Sequence, residues 1–264
     1  MSLHAHGRSY VVAHRGASAH APENTLAAYR HAHRLGAMGA ECDVQVSADG
    51  EVVLLHDRSL SRTTDSRGLV SRRTWAQLRQ LDAGSWKGEG FAGEGIPRLR
   101  DALAFTRGRM RMFVELKAGR GLAERSCEAA QAAGVRDEDL VFMSFDPRLL
   151  AGVEAGLPQI PRVLLRRKPL FGGQFGRSVV DQALAAGAQA LGLNHKGVGP
   201  EVVRHAHEAG LAVLTFTVND IHRGRELAAM GVDGLISDVP QRIERSLRRP
   251  SRARTRGGLP ALQS

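Results

Sequence analysis

The first apolar run of the chain reads Tyr10-Val11-Val12-Ala13-His14 and passes directly into Arg15-Gly16-Ala17-Ser18. A short apolar run ended by polar residues reads as a buried strand. In an open doubly wound sheet with a dinucleotide site, the turn after the first strand usually carries G-x-G-x-x-G. Here a histidine and an arginine stand in its place, which favours a closed barrel over the open sheet.

Working outward, further runs of strand character occur at Ala40–Val44, Met112–Glu115, Leu140–Phe145, Arg162–Leu165, Ala190–Leu193, Ala212–Thr217 and Gly234–Ser237. Segments of helical period separate or follow them: Asn24–Leu35, Leu99–Arg107, Gly121–Ala133, Pro147–Ala155, Ser178–Ala186, Gly199–Ala209, Ile221–Met230 and Gln241–Arg248. Eight strand–helix units in a chain of 264 residues is the arithmetic of an α/β fold, the (β/α)8 TIM barrel. One stretch departs from the alternation. After the second strand, Gln45–Asp57 has two apolar arms around Asp49-Gly50, a hairpin signal. Residues 58–97 then form a polar connection holding both tryptophans, Trp75 and Trp86, a small insertion too long to be a bare loop. The expected organisation is one barrel domain over residues 1–248, with residues 249–264 a basic, disordered tail.

Composition narrows the classes. With 42% hydrophobic residues the chain can bury a substantial core, which excludes global disorder, and two cysteines exclude a disulfide-stapled fold. No run approaches the ~18 apolar residues of a membrane span, and MSLHAHGRSY lacks the pattern of a signal peptide, so a soluble, cytoplasmic protein is expected. The formal net charge of +10 is uneven: residues 241–264 hold seven arginines and one glutamate. That arm is expected to be solvated, with weak contact to an anionic membrane as the alternative. It lacks the interleaved aromatics of a nucleic-acid platform, so no specific nucleic-acid partner is expected. The oligomeric state is not legible.

Active sites of such barrels lie where strands end. The first strand ends in His14-Arg15, the second carries Glu41 and Asp43, the hairpin returns with His56-Asp57, and the third ends in Glu115-Leu116-Lys117. Glu41 and Asp43 are two apart and share a face. Three converging carboxylates with too little neutralising charge call for a divalent cation, and an all-oxygen donor set suits Mg²⁺ or Ca²⁺. Cys42, between the two acids, points to the opposite face and is read as packing. His14 and His56 can serve as general acid and base, with Arg15 and Lys117 adding positive charge for a phosphate ester. Asp57 reads equally as orienting His56 or capping a turn. Glu23 and Asn24 read first as helix capping, and Asn219 as either a turn residue or a ligand contact. His31, His33, His205 and His207 lie on predicted helices and are given no role.

These stretches resemble the glycerophosphodiester phosphodiesterase family, of the barrel superfamily that includes phosphatidylinositol-specific phospholipases C. The matching motifs are Ala13-His14-Arg15-Gly16, Pro22-Glu23-Asn24-Thr25, Glu41-Cys42-Asp43-Val44 and Val53-Leu54-Leu55-His56-Asp57 with Arg62-Thr63-Thr64. They continue with Leu81-Asp82-Ala83-Gly84, Glu115-Leu116-Lys117, Thr217-Val218-Asn219 and Gly231-Val232-Asp233-Gly234. The resemblance implies His14 and His56 as the acid–base pair, Glu41, Asp43 and Glu115 as ligands of Mg²⁺ or Ca²⁺, and Arg15 and Lys117 as phosphate contacts. It implies hydrolysis of a small glycerophosphodiester to sn-glycerol 3-phosphate and an alcohol, by way of a cyclic phosphate. Phe216 stands where the family commonly has tryptophan, keeping an aromatic wall for substrate without the indole N–H. A lysophospholipase D acting on lipid-sized diesters is one alternative, and a non-catalytic phosphate binder with a basic contact arm is another.

Overall fold

A computed structural model describes residues 3–5, 7–168 and 172–248. The expected tail, residues 249–264, lies outside the described residues. The strands are β1 (Tyr10–Ala13), β2 (Gly39–Val46), β3 (Val52–Leu54), β4 (Arg111–Ala118), β5 (Leu140–Ser144), β6 (Arg162–Arg166), β7 (Ala190–Asn194), β8 (Ala212–Phe216) and β9 (Gly234–Ser237). The helices are α1 (Leu26–Arg34), α2 (Trp75–Leu78), α3 (Leu99–Thr106), α4 (Leu122–Ala132), α5 (Pro147–Gly156), α6 (Ser178–Ala185), α7 (Pro200–Glu208), α8 (Ile221–Ala229) and α9 (Pro240–Arg248). Among the described residues no helix is long and apolar enough to cross a membrane.

Eight parallel strands close on themselves, as the sequence predicts: β1 pairs with β9 on one side and with β2 on the other. The ninth, β3, lies antiparallel on β2, with Val44 opposite Leu54 and Val46 opposite Val52. Alternation along each strand separates two sets of apolar side chains. Val12, Phe113, Val141, Val163, Leu165 and Leu214 fill the barrel. Residues one step away face the helices, as Cys42, Val44 and Val114 do in the layer that also holds Tyr29, Leu99 and Leu103. Cys42 therefore packs, as its position between two inward acids requires.

The hairpin turns at Ser47–Glu51, where the Ser47 N–H donates to the Glu51 carbonyl and Gly50 takes a φ of 91°. The returning arm brings the Leu55 N–H to the Asp43 carbonyl at 3.0 Å, which sets His56 beside the end of β2. Residues 58–97 pack a small core of their own, in which Leu60, Val70, Leu78, Ala83 and Ile96 meet Val53 and Leu55 of the hairpin. The segment is thus anchored against the arm that carries His56.

Two boundary differences bear on the site. Helix α1 starts at Leu26 because Asn24 has a φ of 58° and Thr25 is extended, its hydroxyl accepting from the Ala28 N–H. Strand β4 runs past the apolar run Met112–Glu115 to Ala118, so Lys117 lies within the strand.

Gly16 fixes the turn that presents His14 and Arg15. Its φ is 81°, and a Cβ there would lie 2.6 Å from the Ala28 Cβ and 2.8 Å from the Ala28 carbonyl carbon. Gly16→Ala combines a disfavoured dihedral with a clash against helix backbone. It is expected to destabilise the fold by about 2–3 kcal/mol, read as a lowered denaturant midpoint at unchanged slope.

Candidate active site

The eight residues singled out in the sequence come together at the C-terminal ends of the strands. Asp43 on β2 and Glu115 on β4 are partners in register, and Glu41 lies two residues back on the same face. One oxygen from each lies within 4.8 Å of the others, and all three side chains are buried.

The expectation that this cluster lacks neutralising cations needs correction. Arg15 Nε lies 3.1 Å from Asp43 Oδ2, and Lys117 Nζ lies 2.9 Å from Asp43 Oδ1 and 2.7 Å from Glu115 Oε1. Both cations are engaged with carboxylates because burial makes an unpaired Asp43 charge far costlier than these contacts. Asn24 adds to them: its amide N–H donates to Asp43 Oδ2 at 2.8 Å while its Oδ1 accepts from the Asp43 backbone N–H. Burial pushes the Asp43 pKa up, but Lys117, Arg15 and His56 outweigh it and hold the group below the usual carboxylate range.

Glu41 is the acid left over. Its Oε2 accepts from the Arg15 backbone N–H at 2.8 Å and lies 3.9 Å from His14 Nε2. Its Oε1 is buried and has no partner among the described residues. Burial, reinforced by Asp43 and Glu115, pushes its pKa up to about 8. A buried carboxylate oxygen without a donor, in a set of three oxygen donors and no thiolate, fits a hard divalent cation held by Glu41, Asp43 and Glu115.

Each histidine is backed by a carboxylate. His56 Nδ1 sits 2.6 Å from Asp57 Oδ1, and Asp57 Oδ2 accepts from Arg62 Nε at 2.6 Å. Asp57 therefore orients His56, and Arg62, then His56, bring its pKa down to about 2 against a smaller effect of burial. Arg62 and Arg15 both grip Glu23, at 2.7–2.8 Å. Glu23 and Asn24 are thus parts of the site's framework, and Thr25 is the helix cap in their place.

His14 Nδ1 lies 2.6 Å from Asp238 Oδ1, a residue the sequence reading missed. Asp238 also accepts from the Ser18 hydroxyl and from the Asn219 amide at 2.6 Å, while the Asn219 Oδ1 accepts from the Asp238 N–H. Asn219 accordingly serves to position Asp238. The one sequence signal for Asp238 was its place just after the last strand. Burial disfavours a charged His14, yet the Asp238 hydrogen bond and the Glu41 charge outweigh it and raise the pKa. At His56 the balance is reversed: burial, with Lys117 and Arg15, outweighs Asp43 and Asp57 and lowers it.

Phe216 lines a recess of about 20 Å³ with His14, Glu41, Glu115, Met143 and Leu165, its ring edge-on to Phe145 at 5.9 Å. A wider chamber of about 480 Å³ also opens at His14, bounded by Arg15, Trp86, Lys87, Asn219 and Arg242. Another cavity, about 610 Å³, opens among Tyr10, Gly39 and Arg111 where strands begin, away from the acid cluster.

This arrangement accompanies a match of residues 14–242 to the Glycerophosphoryl diester phosphodiesterase family. The chain belongs to that family. A phosphodiesterase of Oleispira antarctica, solved in complex with the product sn-glycerol-3-phosphate, is 34% identical with a TM-score of 0.81, over 90% of this chain and 96% of its own. A glycerophosphodiester phosphodiesterase of Caldanaerobacter subterraneus subsp. tengcongensis is 32% identical over 241 residues, 89% of this chain and 96% of that protein. The glycerophosphodiester phosphodiesterase structure from Agrobacterium tumefaciens is 28% identical with a TM-score of 0.77, over 89% of this chain and 98% of its own. Shared family and shared fold thus extend over nearly the whole barrel.

Burial and its acidic neighbours raise the Glu41 pKa, favouring the protonated group. Only the carboxylate form can be a ligand, so Mg²⁺ or Ca²⁺ binding should draw a proton off the cluster. Apparent affinity is expected to rise with pH until Glu41 is ionised and then level off. Calorimetry in buffers of different ionisation enthalpy measures the release, and Glu41→Gln should abolish it and weaken binding by about a hundredfold or more.

Proposed function

We propose that this phosphodiesterase hydrolyses small glycerophosphodiesters to sn-glycerol 3-phosphate and an alcohol, with His14 and His56 as its acid–base pair. The observation that carries the reading is the pairing of two carboxylate-steadied histidines with a buried acid cluster whose Glu41 Oε1 has no partner among the described residues. The product named with the Oleispira antarctica relative supports the same choice of substrate.

Glu41, Asp43 and Glu115 would hold Mg²⁺ or Ca²⁺, which when bound supplies Lewis-acid polarisation of a phosphoryl oxygen. Arg15 and Lys117 contact the phosphate from the rim of that cluster, and Phe216 packs against the glycerol carbons. The raised pKa of His14 favours its imidazolium, suiting it to protonate the leaving oxygen. The lowered pKa of His56 favours neutral imidazole, suiting it to take the proton from the attacking hydroxyl. Asp238 and Asp57 fix which ring nitrogen faces the substrate, since an ionised carboxylate accepts only from a protonated Nδ1.

We place this activity in one barrel domain, residues 1–248, with residues 58–97 as its insertion, in a cytoplasmic setting. Two buried, unpaired cysteines, Cys42 and Cys127, are compatible with a reducing compartment. A lipid-sized substrate would need an apolar entrance. The chamber beside His14 has Ala19, Val239 and Trp86 as its apolar lining and places Arg15, Glu23, Lys87, Asn219, Asp238 and Arg242 among them. A silent binder would have no use for two oriented proton-transfer groups.

Purified protein incubated with glycerophosphoglycerol and Mg²⁺ or Ca²⁺ should release glycerol 3-phosphate, followed by a coupled dehydrogenase. Chelation should stop it reversibly. His14→Ala and His56→Ala should each lower kcat by about 10²–10⁴-fold with the fold intact. Undiminished turnover in either variant would overturn the assignment.

A further inference from the structure

A phosphodiester places two arms on opposite sides of phosphorus, and His14 lines both spaces that meet at the site. The recess beside Phe216 is about 20 Å³, enclosed by Met143, Leu165 and Ile236. The chamber is about 480 Å³ and open. The recess has room for little more than about one water, so the variable alcohol needs the chamber.

The walls of the chamber carry a charge pattern. Its two acids are both occupied: Glu23 by Arg15 and Arg62, and Asp238 by His14, Ser18 and Asn219. Two cations have no carboxylate partner among the described residues. Lys87 Nζ makes one hydrogen bond, to the Ser18 carbonyl at 2.7 Å, leaving two of its three donors free. The exposed Arg242 side chain, on α9, has no hydrogen-bond or ion-pair partner among the described residues. Between the insertion and α9 the chamber is therefore electropositive.

Trp86 sharpens the point. An exposed indole is the usual platform for a quaternary ammonium group. Here the indole N–H is tied to the Ala83 carbonyl at 2.9 Å and the Lys87 ammonium lies 5.6 Å from the ring centroid. The aromatic face already has its cation, and a second positive charge brought to it would meet Lys87.

We propose that this chamber is the subsite for the leaving alcohol and that Lys87 and Arg242 select against cationic alcohols. Neutral polyols and alcohols carrying a carboxylate are the favoured class; trimethylammonium alcohols are disfavoured. The proposal rests on the diesterase reading above and adds its specificity. Hydroxyl or carboxylate oxygens find donors on Lys87 and Arg242, while an ammonium finds none of the carboxylates it would need; serine, whose own carboxylate offsets its ammonium, is therefore placed above choline, which carries only a cation.

The test is to compare kcat/KM for glycerophosphoglycerol, glycerophosphoserine and glycerophosphocholine with one cation at one pH. The glycerol and serine diesters are expected to exceed the choline diester by about tenfold or more at low salt, and the gap should narrow as ionic strength screens the walls. Lys87→Glu combined with Arg242→Glu should lower the serine diester and raise the choline diester, reversing their order. Should that variant fold poorly, Lys87→Gln with Arg242→Gln keeps a donor toward Ser18 and should bring the three substrates within about threefold of one another. A choline diester turned over as well as the others by the unmodified protein, or an order untouched by either variant, overturns the charge selection while leaving the activity standing. Failure to hydrolyse all three diesters would instead overturn the diesterase reading, and this proposal with it.

Discussion

The site is organised around one buried charge. Asp43 is fully buried in the barrel wall, and leaving a carboxylate there unpaired would cost several kcal/mol. Its partners come from three segments: Arg15 from the turn after β1, Asn24 from the approach to α1, and Lys117 from β4. Satisfying that charge therefore fixes three pieces of chain at once. Arg15 and Asn24 adopt φ values of 55° and 58°, a left-handed conformation that costs non-glycine residues of order 1–3 kcal/mol each. The Asn24 N–H closes the turn onto the Arg15 carbonyl at 3.0 Å. The strain persists because relaxing either residue would withdraw a donor from Asp43.

From Arg15 the ordering continues outward, through Glu23 and Arg62 to Asp57 and His56. Arg62 is 43% exposed, and single ion pairs of that kind add little to stability. Their effect is geometric: the hairpin that carries His56 is tied to the turn that carries Arg15. His14 is held by a different route, since Asp238 directly follows β9, the strand that meets β1 where the barrel closes. One histidine is positioned by the insertion and the other by closure of the barrel, so the pair exists only once both are complete.

The barrel and the convergence of its three acids were legible because their signals are local. Apolar runs mark strands, Glu41-x-Asp43 puts two acids on one face by the period of a strand, and the Asp49-Gly50 turn announces the hairpin. What was not legible depends on partners distant in sequence. His14 meets Asp238 across 224 positions, and nothing near either residue says so. Glu23 and Asn24 stand before a helix, where capping is the commoner role, and only the approach of Arg62 and Asp43 reassigns them. Arg15 and Lys117 were correctly placed at the mouth, but their engagement with Asp43 depends on its burial, which the sequence does not print.

The net charge of +10 bears little on catalysis, because charges beyond about 8 Å are largely screened at physiological ionic strength. The local count is the informative one. Glu41, Asp43 and Glu115 oppose Arg15 and Lys117, leaving one negative charge when all are ionised. The raised pKa of Glu41 disfavours that charge, as burial of an Oε1 without a partner among the described residues requires. A divalent cation held by the ionised acids would turn the balance of these five side chains to one positive charge. That is the complement of a phosphodiester, which carries a single negative charge, and it leaves a phosphate monoester product, with its additional charge, to be retained or released by Arg15 and Lys117 at the rim.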